Sequence, residues 1–445
     1  MKKNSVIGVC QDISSEGKGV IKFFNETLFV DSLLLNEKAE VEVLYRNKGI
    51  GYAKIVRLIE KSKDRINPLC PISTSCGGCS FQNATYEYEL KYKKHKVEEA
   101  LKRIGHITHE VNDVIGMENP YHYRNKIQVP FSKNGKEIVY GFYKANTHRI
   151  IPTDECNIED IRAKDILKAI KFLMQTMHIE PYIEDNRSGV IRHVLIRTSR
   201  FYDEIMVVIV SNVDAFPSRN NFVKELTKRF PNIKTIVQNI NTRDTNVILG
   251  EKERILYGPG FIKDEILGVS FLISSKSFFQ VNPYQVEKLY SKAFELAELD
   301  KNDVILDAYS GVGTIGLIAS KKVKKVYSVE TVHSAIINAK ENAKRNNIDN
   351  IEIIEADCSE YLNTTNKKFD VVIMDPPRKG SDEIFLSALK KNSPKKIVYI
   401  SCDPATLARD LSFLLDKYEI KTIQPVDMFP RSFHTENVCL LTLRK

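Results

Sequence analysis

The chain has 445 residues and a formal net charge of +9, with 42% hydrophobic and 28% charged residues. That balance excludes a disordered or membrane-embedded chain, and the length calls for more than one hydrophobic core. No apolar run reaches the length of a membrane span. Met1-Lys2-Lys3-Asn4-Ser5 leads into no apolar signal core, so a cytoplasmic protein is expected. The positive charge leans toward a polyanionic partner.

Residues 5–60 alternate short β-like runs with turns, at 6–9, 20–24, 27–30, 40–45 and 52–58, with Ser14 to Gly19 as the clearest turn. Regular short strands with glycine-bearing turns predict a small OB-like β-barrel over residues 1–61. Lys18, Lys22, Arg46, Lys48, Lys54 and Arg57 surround the strands, which suits RNA recognised by shape and charge; a structural or protein-docking barrel fits the same stretch.

Cys70, Cys76 and Cys79 follow in a C-x5-C-G-G-C element. Gly77 and Gly78 let the backbone wrap so that the thiolates converge, and Cys156 is the fourth cysteine of this region. Four thiolates suit tetrahedral zinc or a cubane iron–sulfur cluster. Three near ligands with one distant ligand favour the cluster, because zinc ribbons use two close C-x2-C pairs. A radical-forming cluster is not expected, since the C-x3-C-x2-C loop is absent.

Residues 84–104 lack Gly and Pro and predict a long helix. Leu90, Val97, Leu101 and Ile104 make its apolar stripe, and Lys91, Lys93, Lys94, Lys96, Lys102 and Arg103 are expected on a solvated, potentially phosphate-binding face. Residues 62–275 read as a central α+β domain, with strands at 123–131, 190–198 and 205–210 and helices at 165–177 and 222–230. The 84–104 helix could pack on the following domain.

From about residue 276 the pattern becomes strand, helix, strand, helix. Strands are expected at 304–309, 325–330, 351–357, 369–375, 396–401, 420–428 and 437–443. This predicts a doubly wound, Rossmann-like α/β domain over 276–445. Gly311-x-Gly313-x-x-Gly316 opens its first helix and matches the dinucleotide fingerprint, a weak signal alone. Glu330 would hold a ribose diol of NAD or of S-adenosylmethionine. Asp307 would repel a pyrophosphate but tolerate an amino-acid moiety, and Asp357 is placed to meet an adenine amino group. Both favour S-adenosylmethionine.

Asp375-Pro376-Pro377 ends the fourth strand, where a planar substrate would lie. It resembles the Asn/Asp-Pro-Pro-aromatic corner of enzymes that methylate exocyclic amines, but Arg378 and Lys379 follow it. On the next strand Cys402 falls at the carboxyl end, just before a helix, where ligands bind and a helix N-terminus favours a thiolate. A small buried hydrophobe is the alternative. A thiol there points to carbon methylation. C5 of a pyrimidine has no lone pair, so a thiolate must first add at C6, and a base must later remove the C5 proton. Glu436 is the best candidate base and His434 the second. Cys358 and Cys439 are expected in the core.

Together these residues resemble the RNA (uracil-5-)-methyltransferase family, in its 23S ribosomal RNA branch with a TRAM barrel and an iron–sulfur centre. The resemblance spans nearly the whole chain. It rests on Ser14 to Gly19, the cysteine element with Gln82, Tyr123-Arg124-Asn125-Lys126, Cys156, Ser277-Phe278-Phe279-Gln280-Val281-Asn282, Asp307-x-Tyr309-Ser310-Gly311-x-Gly313-Thr314, Asp375 to Gly380, Ser401 to Pro404 and His434-Thr435-Glu436. It implies Cys402 as nucleophile, Glu436 as base and Asp375 against the uracil. Gln280, Tyr309, Gly311, Gly313, Thr314, Glu330, Asp357 and Asp375 would line the S-adenosylmethionine pocket. Cys70, Cys76, Cys79 and Cys156 would hold a [4Fe-4S] cluster that organises structure or RNA. The tRNA branch is expected to lack the barrel and the cysteines, so ribosomal RNA is the expected partner. A transfer RNA uracil methyltransferase and a nucleic-acid amino-methyltransferase are the alternatives. A monomer without an obligate protein partner is expected.

Overall fold

The computed structural model describes residues 5–144, 147 and 149–444; Met1 to Asn4, used above to judge the N-terminus, lie outside them. Six strands between Ser5 and Glu60 form one sheet. It wraps a small core that includes Val6, Ile21, Leu28, Val41 and Ala53. Gly8 permits the wrapping, because a Cβ there would stand 2.4 Å from the Ile21 side chain.

Seven strands from Lys126 to Tyr257 form a second sheet. Ile191–Thr198 and Ile205–Ser211 are buried at every position. The near-continuous apolar run of Ile205–Ser211 has a simple cause, since both faces of the sheet are covered. Ile196, Val207 and Ile209 face the helices Arg162–Thr176 and Arg219–Arg229. Leu195, Met206 and Val208 face the other way and share a core with Ile305, Ile373 and Val398 of the C-terminal sheet.

The C-terminal sheet runs Ile351–Glu355, Lys325–Glu330, Val304–Ala308, Val371–Met374, Lys396–Ser401, Glu436–Leu443, Tyr418–Val426. The first five strands are parallel. Glu436–Leu443 is antiparallel to both of its neighbours. It therefore begins at the edge where Lys396–Ser401 ends, and Asn437 pairs with Ser401.

The helix expected over 84–104 spans Tyr86–Ala100, starts on a Thr85 side-chain cap and continues as a π-helical turn to Gly105. Val97 and Leu101 pack with Leu407 and Leu411 in the C-terminal core. Gly105 lets the chain pass close to the Ala408 carbonyl. The expected solvated basic face needs correction at one position: Lys93 is fully buried. Charge composition placed it outside, whereas helical spacing sets it with Glu89 and Val97 on the packed face.

Candidate functional site

The site lies at the carboxyl edge of the C-terminal sheet. The strand Lys396–Ser401 breaks at Cys402 because Asp403 caps the helix Pro404–Leu414, its Oδ1 accepting from the Ala405 and Thr406 N–H groups at 2.8 and 3.1 Å. This capping corrects the sequence expectation for the thiol. The positive end of the helix is satisfied by Asp403 rather than offered to Cys402. Burial first, then the charges of Glu436 and Asp375, push the Cys402 thiol up to about 12, with Arg378 opposing them. In the free protein Cys402 therefore carries its proton.

Glu436 precedes Asn437, whose Nδ2 donates to the Ser401 carbonyl at 3.3 Å. Burial, reinforced by the Asp375 charge, pushes the Glu436 carboxyl up to about 8. Burial alone pushes Asp375 up to about 7. Tyr290, 3% exposed, sits among them: its hydroxyl meets the Gln280 side chain and feels the charges of Asp375, Asp307 and Glu436. The half-buried Cys402 thus lies within reach of the charges of Glu436 and Asp375, and Tyr290 links those carboxylates to Gln280. The sequence reading did not find Tyr290, which looks like an ordinary apolar position of the helix Pro283–Ala297.

His434 lies between the rings of Phe429 and Phe433. Burial, with help from Arg378 and Lys96, pushes it down to about 4, so it is neutral. It lines a cleft of about 570 Å³ with Cys402, Arg378 and Lys96. The Asp12 to Glu16 stretch of the N-terminal sheet, with the start of the Ser14 turn, lines the same cleft. The turn singled out in the sequence is thus part of the cleft that opens on Cys402.

The second half of the site surrounds the glycine turn. Tyr309 adopts φ 62°, and Gly311 and Gly313 have φ 54° and 77°. A tyrosine in the left-handed region is uncommon and marks a constrained strand end. Its ring packs on Phe385 and its hydroxyl lies 3.3 Å from Ser381 Oγ. A Cβ at Gly311 would meet no atom within 4 Å, so the space over the turn is open. Glu330 Oε2 accepts from the Gly311 N–H at 2.8 Å, and its Oε1 accepts from the Thr331 and Val332 N–H groups. Thr314 is the first residue of the helix Thr314–Ala319.

Two acids lie elsewhere than their sequence setting suggested. Asp307 is buried beneath the turn and accepts from the Gly316 N–H at 2.9 Å and the Ser328 hydroxyl at 3.1 Å. It braces the turn, although its Oδ1 has no partner. The third strand stops at Glu355, and Asp357 instead caps the helix Cys358–Thr364 through Oδ1. Cys358 and Cys439 are buried, as expected.

Cys70, Cys76, Cys79 and Cys156 line one cavity of about 490 Å³, together with Arg124, Lys126 and Gln82. Gln82 Nε2 lies 3.5 Å from Cys79 Sγ. Among the described residues no group of three or more His, Cys, Asp or Glu side chains is placed to hold a single metal ion. Among those residues, too, no helix is long and apolar enough to cross a membrane.

A largely parallel sheet with a glycine turn, an acidic second strand and a thiol beside two carboxyls at its carboxyl edge is a methyltransferase-type arrangement. The family model for tRNA (uracil-5-)-methyltransferases matches residues 85–444. The chain belongs to that family, and it is an RNA methyltransferase. It is 42% identical over 440 residues to an uncharacterized RNA methyltransferase of Oceanobacillus iheyensis, covering 98% of this chain and 95% of the relative. It is 43% identical over 449 residues to another from Clostridium acetobutylicum, covering 99% and 98%. Among solved structures it resembles the tRNA (uracil-54, C5)-methyltransferase of Pyrococcus abyssi in complex with S-adenosyl-L-homocysteine. The TM-score is 0.81 at 29% identity, covering 98% of this chain and 100% of that one.

That last comparison corrects one expectation. From the sequence, the N-terminal sheet and cysteine region are expected to separate ribosomal from transfer RNA enzymes. A tRNA enzyme matches 98% of this chain, so the overall architecture does not make that distinction.

Proposed function

We propose that the chain transfers a methyl group from S-adenosylmethionine to C5 of a uridine in 23S ribosomal RNA, with Cys402 as nucleophile and Glu436 as base. The observation that carries this reading is the meeting of a half-buried thiol, at the wall of a cleft, with two carboxyls of raised proton affinity. An amine needs no nucleophilic thiol; a pyrimidine C5 does.

The open turn at Gly311, the unpartnered Asp307 Oδ1 and the Gln280–Tyr290 contact fit S-adenosylmethionine. Tyr309, Gly311, Gly313, Thr314, Glu330 and Asp357 would line its pocket with Gln280 and Asp375. When bound, it supplies an electrophilic methyl group. Cys402 loses its proton as Sγ bonds to C6, which makes C5 nucleophilic. Asp375, at the mouth of the sheet, orients the pyrimidine. After C5 has gained the methyl, Glu436 takes the C5 proton and Sγ leaves C6. Cys402 then recovers a proton from Glu436, so the net proton released is the one first lost from the thiol. The uridine must be flipped out of folded RNA to reach Sγ, at a cost of roughly a few kcal/mol. Basic contacts from the barrel-like N-terminal sheet, acting as a TRAM module, would offset it.

The four cysteine thiols around one cavity fit a [4Fe-4S] cluster by donor chemistry and by their spread about a space larger than a single ion. Bound there, it would tie the 70–79 loop to Cys156 and serve as a structural cross-link. Anaerobically purified protein is expected to contain iron and acid-labile sulfide in equal amounts. Zinc without sulfide would refute the cluster.

The Pyrococcus abyssi likeness favours a second reading, in which the substrate is tRNA. Mapping 5-methyluridine in both 23S ribosomal RNA and tRNA from cells lacking the protein decides between them. Loss of a single ribosomal 5-methyluridine is expected. Loss confined to tRNA establishes the second reading, and no loss in either RNA rejects both.

A further inference from the structure

Residues 427–435 carry the chain from the end of Tyr418–Val426 into Glu436, and they are held from outside the C-terminal sheet. The side chains of Lys93, Glu89 and Asp427 are all fully buried. Lys93 Nζ donates to Glu89 Oε1 at 2.7 Å, to Asp427 Oδ1 at 2.6 Å and to the Phe429 carbonyl at 3.1 Å. Every hydrogen of the ammonium is thereby used. The Tyr86 hydroxyl donates to the other Asp427 oxygen at 2.7 Å. Glu89 Oε1 also accepts from the Arg431 N–H at 2.7 Å, and one turn further along the helix Lys96 donates to the Phe433 carbonyl at 3.0 Å. Backbone groups at 429, 431 and 433 are therefore tied to one face of a single helix.

Two carboxylates around a buried ammonium are a poor way to gain stability, since apolar side chains of similar volume often do as well. Such a network is directional, however, and selects one placement of the segment it holds. That placement matters here. Asp427 follows Val426, and Val426 is the register partner of Glu436. The anchor thus lies one residue from the strand position paired with Glu436, whose charge reaches Cys402.

We propose that Lys93 is a positioning residue: with Glu89 and Asp427 it holds the 427–435 segment so that Glu436 faces the carbon whose proton it removes. The inference rests on the reading of Glu436 as base and extends it to a helix that precedes the C-terminal sheet by some two hundred residues. A merely structural lysine and a positioning one differ in which half of the reaction suffers. Thiol addition and methyl transfer need Cys402, whereas only the final step needs Glu436.

The test compares Lys93→Met with wild-type protein on in vitro transcripts of 23S ribosomal RNA and of tRNA, using whichever the wild type methylates. One batch carries uridine and the other 5-fluorouridine, which traps the adduct because C5 has no proton to lose. Lys93→Met is expected to bind S-adenosylmethionine and form the 5-fluorouridine adduct within about twofold of wild type, while turnover on uridine falls at least tenfold or so. An adduct on ordinary uridine RNA should accumulate with it. Parallel losses in both measurements, or unchanged turnover, overturn the proposal. Tyr86→Phe leaves the ion pairs in place and serves if Lys93→Met does not fold. It should show the same split in smaller degree, and parallel changes there count against the proposal equally. Normal turnover in Glu436→Gln would remove the base itself and the positioning role with it. A trapped adduct in Glu436→Gln beside wild-type behaviour in Lys93→Met removes the positioning role alone.

Discussion

Cys402→Ala is expected to abolish methyl transfer, lowering turnover by roughly a thousandfold or more, and to leave no covalent product with 5-fluorouridine RNA. The basis is chemical. Without addition at C6 there is no nucleophile at C5, and neighbouring carboxylates cannot substitute for sulfur. S-adenosylmethionine binding should survive, because the side chain touches the cleft side of the site. The measurement is methyl incorporation together with a denaturing gel for the adduct. Full activity in Cys402→Ala would sink the carbon-methylation mechanism and turn attention to amino-methylation. The Ala variant should also fold normally, since Cys402 is only half-buried and the adjoining helix is capped by Asp403.

Glu436→Gln should have the opposite signature. Addition and methyl transfer proceed, the C5 proton stays, and the protein accumulates as a covalent adduct on ordinary uridine RNA, with turnover down about 10²- to 10⁴-fold. Rapid turnover would exclude Glu436 as the base. The same substitution has a pH-dependent effect on stability. The Glu436 carboxyl is pushed up from 4.5 to about 8 in the folded protein, by burial first and the Asp375 charge second. A carboxyl whose folded proton affinity exceeds its unfolded one favours the native state at low pH, and that contribution is lost as pH rises from 4.5 toward 8. Glutamine carries no such penalty. Glu436→Gln is therefore expected to be more stable than wild type at pH 7, by roughly 2–3 kcal/mol. The advantage should fade as pH falls from 8 toward 4.5. Thermal melts across that range check it; a variant less stable than wild type at pH 8 would contradict the burial argument. Catalysis runs the other way, because only ionised Glu436 can accept the C5 proton, so wild-type turnover should rise with pH toward 8.

These two variants illustrate how much of the site could be read in advance. Cys402, Asp375 and the glycine turn were visible because each ends a strand of strong β-branched character, and strand ends at the carboxyl edge of a parallel sheet converge. Glu436 was visible only as an acid before the last strand. Its proximity to Cys402 depends on that strand running antiparallel, with Asn437 opposite Ser401, and no local pattern states a strand's direction. The protonation of Cys402 was misread for a similar reason. Position before a helix suggested a thiolate, while the Asp403 cap and two buried carboxylates make it a thiol. Asp357 was placed on a strand but caps a helix, since an aspartate before a short helical run satisfies backbone N–H groups wherever it falls.

The amino-acid sequence by itself determined the element types, the glycine turn and the thiol and acid inventory, because these rest on periodicity and on residue chemistry at short range, and its combined motifs carried the resemblance to the family. Only the tertiary structure decided which groups share a dielectric environment. It buried Lys93 between Glu89 and Asp427, set Tyr290 beside Gln280 and raised the proton affinities of Asp375 and Glu436. Burial and charge coupling are properties of surroundings assembled from segments hundreds of residues apart. Spacing along the chain can name the participants in a reaction, but it is the packed site that sets which of them hold their protons.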